Sequence, residues 1–239
     1  MYVYRCVWPF ILSWHSGNSW FDFAPVKPFL YAHPIKHVKK KELELLLQHI
    51  PAPPDAKAEL EQYITPASIA ADMLWMAYYN GDIAGKTVID FGCGSGIFAV
   101  GAALLNALRV IGIDKDERLI QIATKAANEL GVTVEFITGD VEDFRGEGDT
   151  AIMNPPFGAQ HANRRADRKF VQKAMETCHS LYSLHLSRSA DFIKGVIEKN
   201  AWRICEEKPY TFPIKASLPF HEKRVARYEV TMIHAKRDG

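Results

Sequence analysis

The sequence predicts an α/β protein with a Rossmann-like, doubly wound sheet of seven mostly parallel strands and an antiparallel strand at the C-terminal end. Three observations predict it. From residue 87 onward, short apolar runs of strand length alternate with longer patterns of helical period. A glycine-rich loop follows the first of these strands and opens a helix. Polar residues then recur at the ends of the next three strands, where an open α/β sheet binds its ligands.

The elements follow in order from periodicity, caps and breakers. An amphipathic helix is predicted over 41–49, and the prolines that come directly after it stop it. A second helix is predicted over 66–79, with Thr65 as its N-cap and Pro66 in its first turn. Strands are then predicted over 87–91, 110–113, 132–138, 150–153, 183–186, 207–215 and 227–235, and helices over 96–106, over 116–129 and on either side of the strand at 183–186.

Composition limits the class of protein. A chain of 239 residues with 48% hydrophobic residues is long enough for one well-buried domain and an appendage. The four cysteines show no C-x-x-C spacing and no paired framework, which argues against a zinc site or a disulfide scaffold. No apolar run approaches the ~18 residues that a membrane helix needs. We therefore expect a protein of the reducing cytoplasm without a metal site.

Residues 1–37 differ from the rest of the chain. They hold ten of its 27 aromatic residues at no helical or strand period, and they lack the pattern of a signal peptide. We expect an atypical N-terminal extension that is disordered or translated upstream of a natural start at Val38, followed by a single domain over 38–239. The alternative is an aromatic arm that stacks on bases.

Charge is distributed unevenly, although the net charge is only +1. Residues 42–150 hold 7 Lys and Arg against 18 Asp and Glu, whereas 151–239 hold 16 against 9 and 1–41 hold 6 against 1. Two basic ends thus flank an acidic middle, and a basic surface beside a binding loop favours a polyanionic substrate. An ordinary solvated surface is the alternative, and charge alone leaves both open.

The segment 90–96 reads Asp-Phe-Gly-Cys-Gly-Ser-Gly and lies between the first strand and a helix. Glycines there let the backbone turn sharply and approach a ligand closely. A dinucleotide site would have G-x-G-x-x-G spacing and would bind a pyrophosphate, which the Asp90 carboxylate would repel. The same carboxylate suits a ligand that carries an ammonium and a sulfonium. The segment therefore favours S-adenosylmethionine over NAD.

Acids follow the next two strands. Asp114 ends the second strand, where a carboxylate can accept hydrogen bonds from both ribose hydroxyls of the cofactor. Asp140 follows the third strand and is placed to bind the adenine amino group, with Val141 packed against the adenine ring. A single acid in such a place is usually a cap or a surface residue. The ordered series nevertheless predicts a cofactor pocket.

The segment Asn154-Pro155-Pro156-Phe157, here named the clamp, follows the fourth strand. Its two prolines fix φ and cannot donate backbone hydrogen bonds, so the loop is stiff. The Asn154 oxygen and the Pro155 carbonyl can each accept one hydrogen of a planar amino group while Phe157 stacks on the ring. An ordinary proline-rich turn is the alternative. We predict that all four residues are catalytic.

These motifs, together with Leu-Glu-Gln-Tyr-Ile-Thr-Pro at 60–66, the glycine at 158 and Tyr-Ser-Leu-His at 182–185, resemble the methyltransferase-like-five proteins. These are class I adenine-N6 methylases of small-subunit ribosomal RNA with archaeal relatives. The resemblance covers about 38–236 and implies S-adenosyl-L-methionine as cofactor. Eukaryotic members pair with a small zinc-binding activator protein, a possible partner here. The resemblance and the residue pattern together predict nine residues of the cofactor site. These are Gln62, Thr65, Asp90, Gly92, Gly94, Ser95, Asp114, Asp140 and Val141.

Basic residues follow the clamp and are expected near the entrance to the site. Those predicted to contact RNA phosphates are Arg164, Arg165, Arg168 and Lys169. A solvated mobile loop is the alternative. The target base must be unpaired or flipped out to reach the clamp. No strong general base is required, because the amino nitrogen becomes acidic as methyl attaches, and His161 and His185 are interpreted as structural.

Two other functions stay open on the sequence. A protein-glutamine N5 methyltransferase acts on a carboxamide NH₂, so the same clamp would serve it. Such enzymes tend to carry tyrosine in place of Phe157 and a larger N-terminal recognition domain. A catalytically silent RNA-binding protein on this fold is the second alternative, and the intact Asn154 and Asp114 argue against it.

Overall fold

The computed structural model of the chain describes residues 38–52, 65–157, 166–215 and 225–238. Several expectations lie outside these residues and stay predictions. They concern the N-terminal extension at 1–37 with the domain boundary after it, and the roles of Gln62, His161, Arg164 and Arg165.

Among the described residues, seven strands form one sheet. They are β1 (Thr87–Phe91), β2 (Arg109–Asp114), β3 (Glu135–Thr138), β4 (Thr150–Met153), β5 (Ser180–Leu186), β6 (Trp202–Lys215) and β7 (Val225–Arg237). Their spatial order is β3-β2-β1-β4-β5-β7-β6. The first five strands run parallel, and β7 pairs antiparallel with both β5 and β6. The predicted fold class is confirmed.

Helices cover both faces of this sheet. The described helices are α1 (Lys40–Leu47), α2 (Ala67–Tyr79), α3 (Ile97–Leu104), α4 (Glu117–Glu129), α5 (Ala166–Thr177) and α6 (Ser187–Glu198). Val88 and Ile152 join the hydrophobic core that contains α1, α2 and α3, whereas Ile89 and Ala151 join the core that contains α5 and α6. Successive strand side chains point to opposite faces, so each face has its own core. None of the described helices has the length and apolarity needed to cross a membrane.

Several predicted boundaries were wrong. β6 begins at Trp202 rather than at 207, and β7 spans Val225–Arg237 rather than 227–235, because the two strands pair with each other over this whole length. Thr65 does not cap α2, because Pro66 takes the N-cap position and no side chain bonds there. β3 begins at Glu135 rather than at 132, because the Val132 N–H donates to the Ala127 carbonyl at 3.0 Å and closes α4 instead. β5 begins three residues earlier than predicted because the backbone of Ser180 pairs with Thr150 of β4 and Lys236 of β7.

The β6 and β7 strands continue beyond the end of β5. Leu186, the last residue of β5, pairs with Val230, so residues 225–229 of β7 pair with residues 211–215 of β6 alone. We name these two paired stretches the arm. Because β5 runs parallel to β1 and β4, the arm extends past the edge of the sheet at which the parallel strands have their carboxyl ends.

Candidate active site

Four adjacent strands end at one edge of the sheet. β1 lies between β2 and β4, and β3 lies on the far side of β2. The loops that follow these strands begin at or next to Gly92, Asp114, Asp140 and Asn154. The carboxyl ends of parallel strands in an open α/β sheet form the usual ligand site. The fold therefore brings the described members of the predicted cofactor pocket and the clamp to this edge.

The glycine loop after β1 needs glycine for two separate reasons. Gly92 has a φ of +72°, and a Cβ added there would lie 2.8 Å from the Phe170 ring. Gly96 has a φ of +84°, and a Cβ added there would lie 2.9 Å from the Ala123 Cβ. A larger residue would be strained at either position and would also push on a neighbouring helix. The loop is thereby kept close to the sheet edge.

The Asp114 carboxylate ties the glycine loop to the start of α4. Its Oδ2 accepts from the Gly94 N–H at 2.9 Å, and its Oδ1 accepts from the Asp116 N–H at 2.9 Å. Burial raises the pKa of Asp114, and the two backbone hydrogen bonds counteract this. Each carboxylate oxygen can accept a second hydrogen bond. The predicted ribose contact is therefore compatible with the fixed position of the side chain.

Asp90 is 1% exposed, and one of its two carboxylate oxygens accepts a hydrogen bond. Its Oδ2 accepts from the Ala99 N–H at 2.9 Å, whereas its Oδ1 is buried and has no hydrogen-bond partner in the described part of the chain. Burial raises the pKa of Asp90 to about 8, with a further rise from the Asp114 charge. The carboxyl group therefore carries a proton at neutral pH until a cation approaches. A ligand ammonium or sulfonium would favour its ionised form.

The turn after β3 shows two different environments. Asp140 is exposed, and its Oδ1 accepts from the Glu142 N–H at 2.9 Å at the start of a short 3-10 turn. Val141 is buried in the core shared with Ile113 and Met153. Ser95 is also buried, on the glycine loop. The carboxylate of Asp140 is thus the accessible group here, and the predicted adenine contacts stay predictions.

Asn154 has a carboxamide held at one end. Its Nδ2 donates to Thr65 Oγ1 at 3.0 Å. Its Oδ1 is buried and, within the described residues, no donor bonds to it. Buried polar atoms are nearly always hydrogen-bonded, so this oxygen is free to accept a hydrogen bond from a bound ligand. The atom that the sequence assigned to a substrate N–H is the atom left unpaired.

The aromatic end of the clamp differs from expectation. Pro155 and Phe157 are buried, and Pro156 is half-buried. The Phe157 ring meets the Phe212 ring edge to face, with centroids 6.0 Å apart, and belongs to the hydrophobic core. Phe157 is 7% exposed and offers little ring surface to a base in this arrangement. Its predicted stacking role stays a prediction.

The two described basic residues behind the clamp have different surroundings. Lys169 is exposed and pairs with Glu142, with 2.7 Å between Nζ and Oε2; this pairing raises the pKa of Lys169. Arg168 is half-buried, and its Nε is buried without a hydrogen-bond partner among the described residues. A phosphate would have to compete with Glu142 for Lys169. The predicted phosphate contacts stay predictions.

A buried polar cluster beside the clamp was not identified from the sequence as a unit. His185 Nε2 lies 2.7 Å from Ser183 Oγ, and His185 Nδ1 lies 3.9 Å from Asp167 Oδ2. Burial lowers the pKa of His185 to about 3, so the ring is neutral at physiological pH. Ser183 pairs in register with Met153, directly before the clamp. Alternation along β5 was the available signal, since residues 183 and 185 share a face.

The residues present fit a cofactor that has a cationic part and hydroxyl groups. The Asp90 Oδ1 is an unpaired buried acceptor, and the Asp114 and Asp140 carboxylates follow the two neighbouring strands. Within the described parts of the chain, no group of three or more His, Cys, Asp or Glu side chains is placed to hold a metal ion. The side chains at this edge therefore offer oxygen atoms that accept hydrogen bonds.

The sheet order and the set of residues at its edge define the class: a Rossmann-like methyltransferase. Residues 70–186 match the family described as Methyltransferase small domain. The crystal structure of PH1948 from Pyrococcus horikoshii resembles this chain with a TM-score of 0.77 at 34% identity, covering 83% of this chain and 98% of that one.

Sequence similarity to individual proteins narrows the class of methyltransferase to one family. The rRNA N(6)-adenosine-methyltransferase METTL5 of Danio rerio is 35% identical over 205 residues, which cover 82% of this chain and 98% of that protein. The metl-5 protein of Caenorhabditis elegans is 32% identical over 197 residues (76% and 90%). The protein MJ0284 of Methanocaldococcus jannaschii is 36% identical over 217 residues (84% and 96%). The chain belongs to the METTL5 family of methyltransferases, and its cofactor is S-adenosyl-L-methionine. The predicted family, enzyme class and cofactor are confirmed.

Proposed function

We propose that this protein transfers a methyl group from S-adenosyl-L-methionine to the exocyclic N6 of an adenine in ribosomal RNA, namely that of the small subunit. The observation that carries the proposal is the unpaired, buried Oδ1 of Asn154 at the end of β4. The printed names of the Danio rerio and Caenorhabditis elegans relatives, both rRNA N(6)-adenosine methyltransferases, support the substrate.

The adenine amino group is a poor nucleophile because its lone pair is delocalised into the ring. Asn154 Oδ1 accepts one of its N–H groups, and the Pro155 carbonyl accepts the other. Holding both hydrogens favours a pyramidal nitrogen whose lone pair points out of the ring plane. Positioning of this kind contributes ~7–11 kcal/mol in well-aligned intramolecular reactions.

Thr65 has a defined part in this arrangement. Because the Asn154 Nδ2 donates to Thr65 Oγ1, the carboxamide is fixed with its oxygen, rather than its NH₂, left for the substrate. A carboxamide rotated by half a turn would instead place its own NH₂ against the NH₂ of adenine, and two hydrogen-bond donors repel each other. Thr65 therefore acts as a positioning residue for the clamp.

The cofactor supplies an electrophilic methyl group on a sulfonium. Asp90 would hold its cationic part, the glycine loop with Gly92, Gly94 and Ser95 would lie against it, and Asp114 would accept from its ribose. Asp140 and Val141 would bind its adenine, and Gln62 and Thr65 would border it. One of the two N–H groups of the adenine amine becomes acidic as methyl attaches to its nitrogen, so that proton leaves to water. The buried, neutral His185 has no part in this step.

The RNA must present an unpaired or flipped-out base, since N6 is inaccessible in a stacked duplex. Arg164, Arg165, Arg168 and Lys169 would contact its phosphates. A small zinc-binding protein as activating partner, and a cytoplasmic location with the ribosomes, complete the proposal. Gel filtration of the protein with and without such a partner, followed by activity measurements on both, tests the need for it.

The central experiment uses cofactor labelled in its methyl group. The protein is incubated with ribosomal RNA, with small ribosomal subunits and with ribosomal protein, and the labelled product is digested and separated. We expect the label in N6-methyladenosine. Label in glutamine would favour the protein-glutamine methyltransferase, and cofactor binding without any labelled product would favour a silent RNA-binding protein.

A further inference from the structure

An exposed aromatic ring lies close to the clamp, on the arm formed by 211–215 and 225–229. Phe212 of β6 and Tyr228 of β7 are directly opposite each other in the antiparallel pairing. Opposed residues of such a pair project from the same face of the sheet, with their Cβ atoms ~4.5–5.5 Å apart. Tyr228 is therefore on the face of the arm from which Phe212 contacts Phe157.

Among these three aromatic residues, the exposed surface is concentrated on one. Phe157 is 7% exposed and Phe212 is fully buried, whereas Tyr228 is 40% exposed. The ring that the sequence assigned to stacking is thus packed in the core. The exposed ring is that of Tyr228. It lies one cross-strand step further along the same face, past the edge of the sheet.

The position of Tyr228 suits a base beside the target rather than the target itself. The distance from the Phe157 ring to the Phe212 ring is 6.0 Å, and the cross-strand step adds ~5 Å. A base held at Asn154 would therefore lie too far from Tyr228 to stack on it, while a neighbouring nucleotide of the same strand would come within reach. Unpaired bases stack readily on tyrosine rings, because every base has a π face.

The polar neighbours of Tyr228 are compatible with an RNA strand. Arg227 and Glu229 are both exposed on the opposite face of β7, and Glu229 accepts from Thr211 Oγ1 at 3.2 Å. They therefore do not cover the Tyr228 ring, which keeps its exposed surface for a base.

We propose that Tyr228 stacks on an unpaired base of the RNA substrate, next to the adenine held by the clamp. The inference rests on the proposed function, because it takes the substrate to be an unpaired RNA segment. It adds a substrate-binding residue on the arm, more than seventy positions beyond the clamp in the sequence.

The test compares three variants in methyl transfer to deproteinised ribosomal RNA. In Tyr228→Ala we expect the KM for RNA to rise about 10-fold, with cofactor affinity unchanged. Tyr228→Phe keeps the ring and should restore the wild-type KM. Tyr79→Ala is the matched control, since Tyr79 is 73% exposed on α2, next to the Asn80 that donates to Tyr182. It should behave as wild type.

Direct binding of the same RNA, measured by filter retention without cofactor, separates the two proposals. If no RNA is methylated but Tyr228→Ala still weakens binding relative to Tyr228→Phe and Tyr79→Ala, the proposed function fails and the stacking role stands. An RNA affinity and a KM for Tyr228→Ala within twofold of wild type would overturn the stacking role alone. Absence of RNA binding by the wild-type protein would overturn it as well.

Discussion

The Asn154 carboxamide has one end engaged by the protein and one end left for the proposed substrate. One end is fixed by Thr65 at 3.0 Å, and the other is a buried acceptor without a partner in the described chain. An unpaired buried acceptor costs about 1–3 kcal/mol, so the arrangement is not favoured by stability alone. Its persistence is understandable if the substrate amino group completes it.

The first prediction concerns Asn154→Ala. We expect methyl transfer to fall by about 100-fold or more, because both the acceptor and its orientation are lost. Cofactor binding, measured by calorimetry, should stay within twofold of wild type. Asn128→Ala, an exposed substitution of the same kind on α4, serves as the control. Equal transfer by the wild-type protein and Asn154→Ala would refute the role of the clamp.

Thr65→Val removes the hydroxyl and keeps the shape of the side chain. The Asn154 NH₂ then loses its partner, and we expect kcat to fall by about 10-fold, in line with the cost of one buried hydrogen bond. Thr65→Ser should recover most of the rate. If Thr65→Val lowers cofactor affinity and leaves kcat unchanged, Thr65 contacts the cofactor instead of positioning the clamp.

Asp90 provides a prediction about pH. Its pKa is about 8 in the folded protein and ordinary in the unfolded chain, so unfolding releases a proton between about pH 4 and pH 8. Rising pH therefore favours unfolding through this group. Asp90→Asn lacks this contribution. Its free energy of unfolding minus that of the wild-type protein should therefore increase as pH rises from 5 to 8. Urea unfolding without cofactor measures this, and a difference independent of pH would contradict it.

At the scale of elements, one carboxylate joins two helices to a strand. Asp72 of α2 accepts from Lys40 of α1, and from Lys208 and Tyr210 of β6, each of the latter at 2.5 Å. Burial raises the pKa of Asp72, but the hydrogen bonds from these three groups outweigh it and lower the pKa to about 2. The cluster fixes α2, the helix that begins directly after Thr65, against the strand that carries Phe212.

Asp72→Ala should therefore destabilise the fold by about 1–3 kcal/mol at pH 7, since the half-buried Tyr210 hydroxyl loses its acceptor. This stabilisation is fully present above the ordinary pKa of an aspartate and disappears as pH falls through about 2. Urea unfolding at several pH values tests both statements. Glu129→Ala, which removes an exposed pair with Lys125, should change stability by less than about 0.5 kcal/mol.

Most elements could be predicted because each has a local signal. The strands over 87–91 and 150–153 were predicted with their observed bounds, since an apolar run and the following loop residues mark both ends. Some errors have a local cause, such as the hydrogen bond from Val132 to Ala127, and others fall where a distant segment decides. Ser180 belongs to β5 because its backbone pairs with Thr150 and Lys236, which lie 30 and 56 positions away, and no local pattern contains that information.

At the scale of the whole molecule, charge and topology act together. The acidic middle of the sequence supplies the carboxylates after β1, β2 and β3, and the basic C-terminal part supplies α5 and the arm. The sheet order places the end of the acidic β1 next to the end of β4, which begins the basic half. The proposed cofactor pocket and the proposed RNA surface thus share one edge.

RNA affinity should show this arrangement in its salt dependence. Lys169→Ala is expected to weaken binding and to lower the slope of log K against log salt by about 0.7, the value for one phosphate contact on a single strand. Glu142→Gln removes the carboxylate that pairs with Lys169 at 2.7 Å and should tighten binding. If the control Lys125→Ala on α4 weakens binding as much as Lys169→Ala does, the effect is one of general charge.

The sequence by itself determined the fold class, the order of the motifs and which polar residues lie at the strand ends. It could do so because parallel strands joined by helices place their carboxyl ends at one edge, whatever the details of packing. Only the tertiary structure decided which of these side-chain atoms are hydrogen-bonded or packed within the protein. Thr65 holds Asn154 across 89 positions of sequence, and Phe212 buries the Phe157 ring. Such contacts depend on how separate segments pack, which no local pattern encodes.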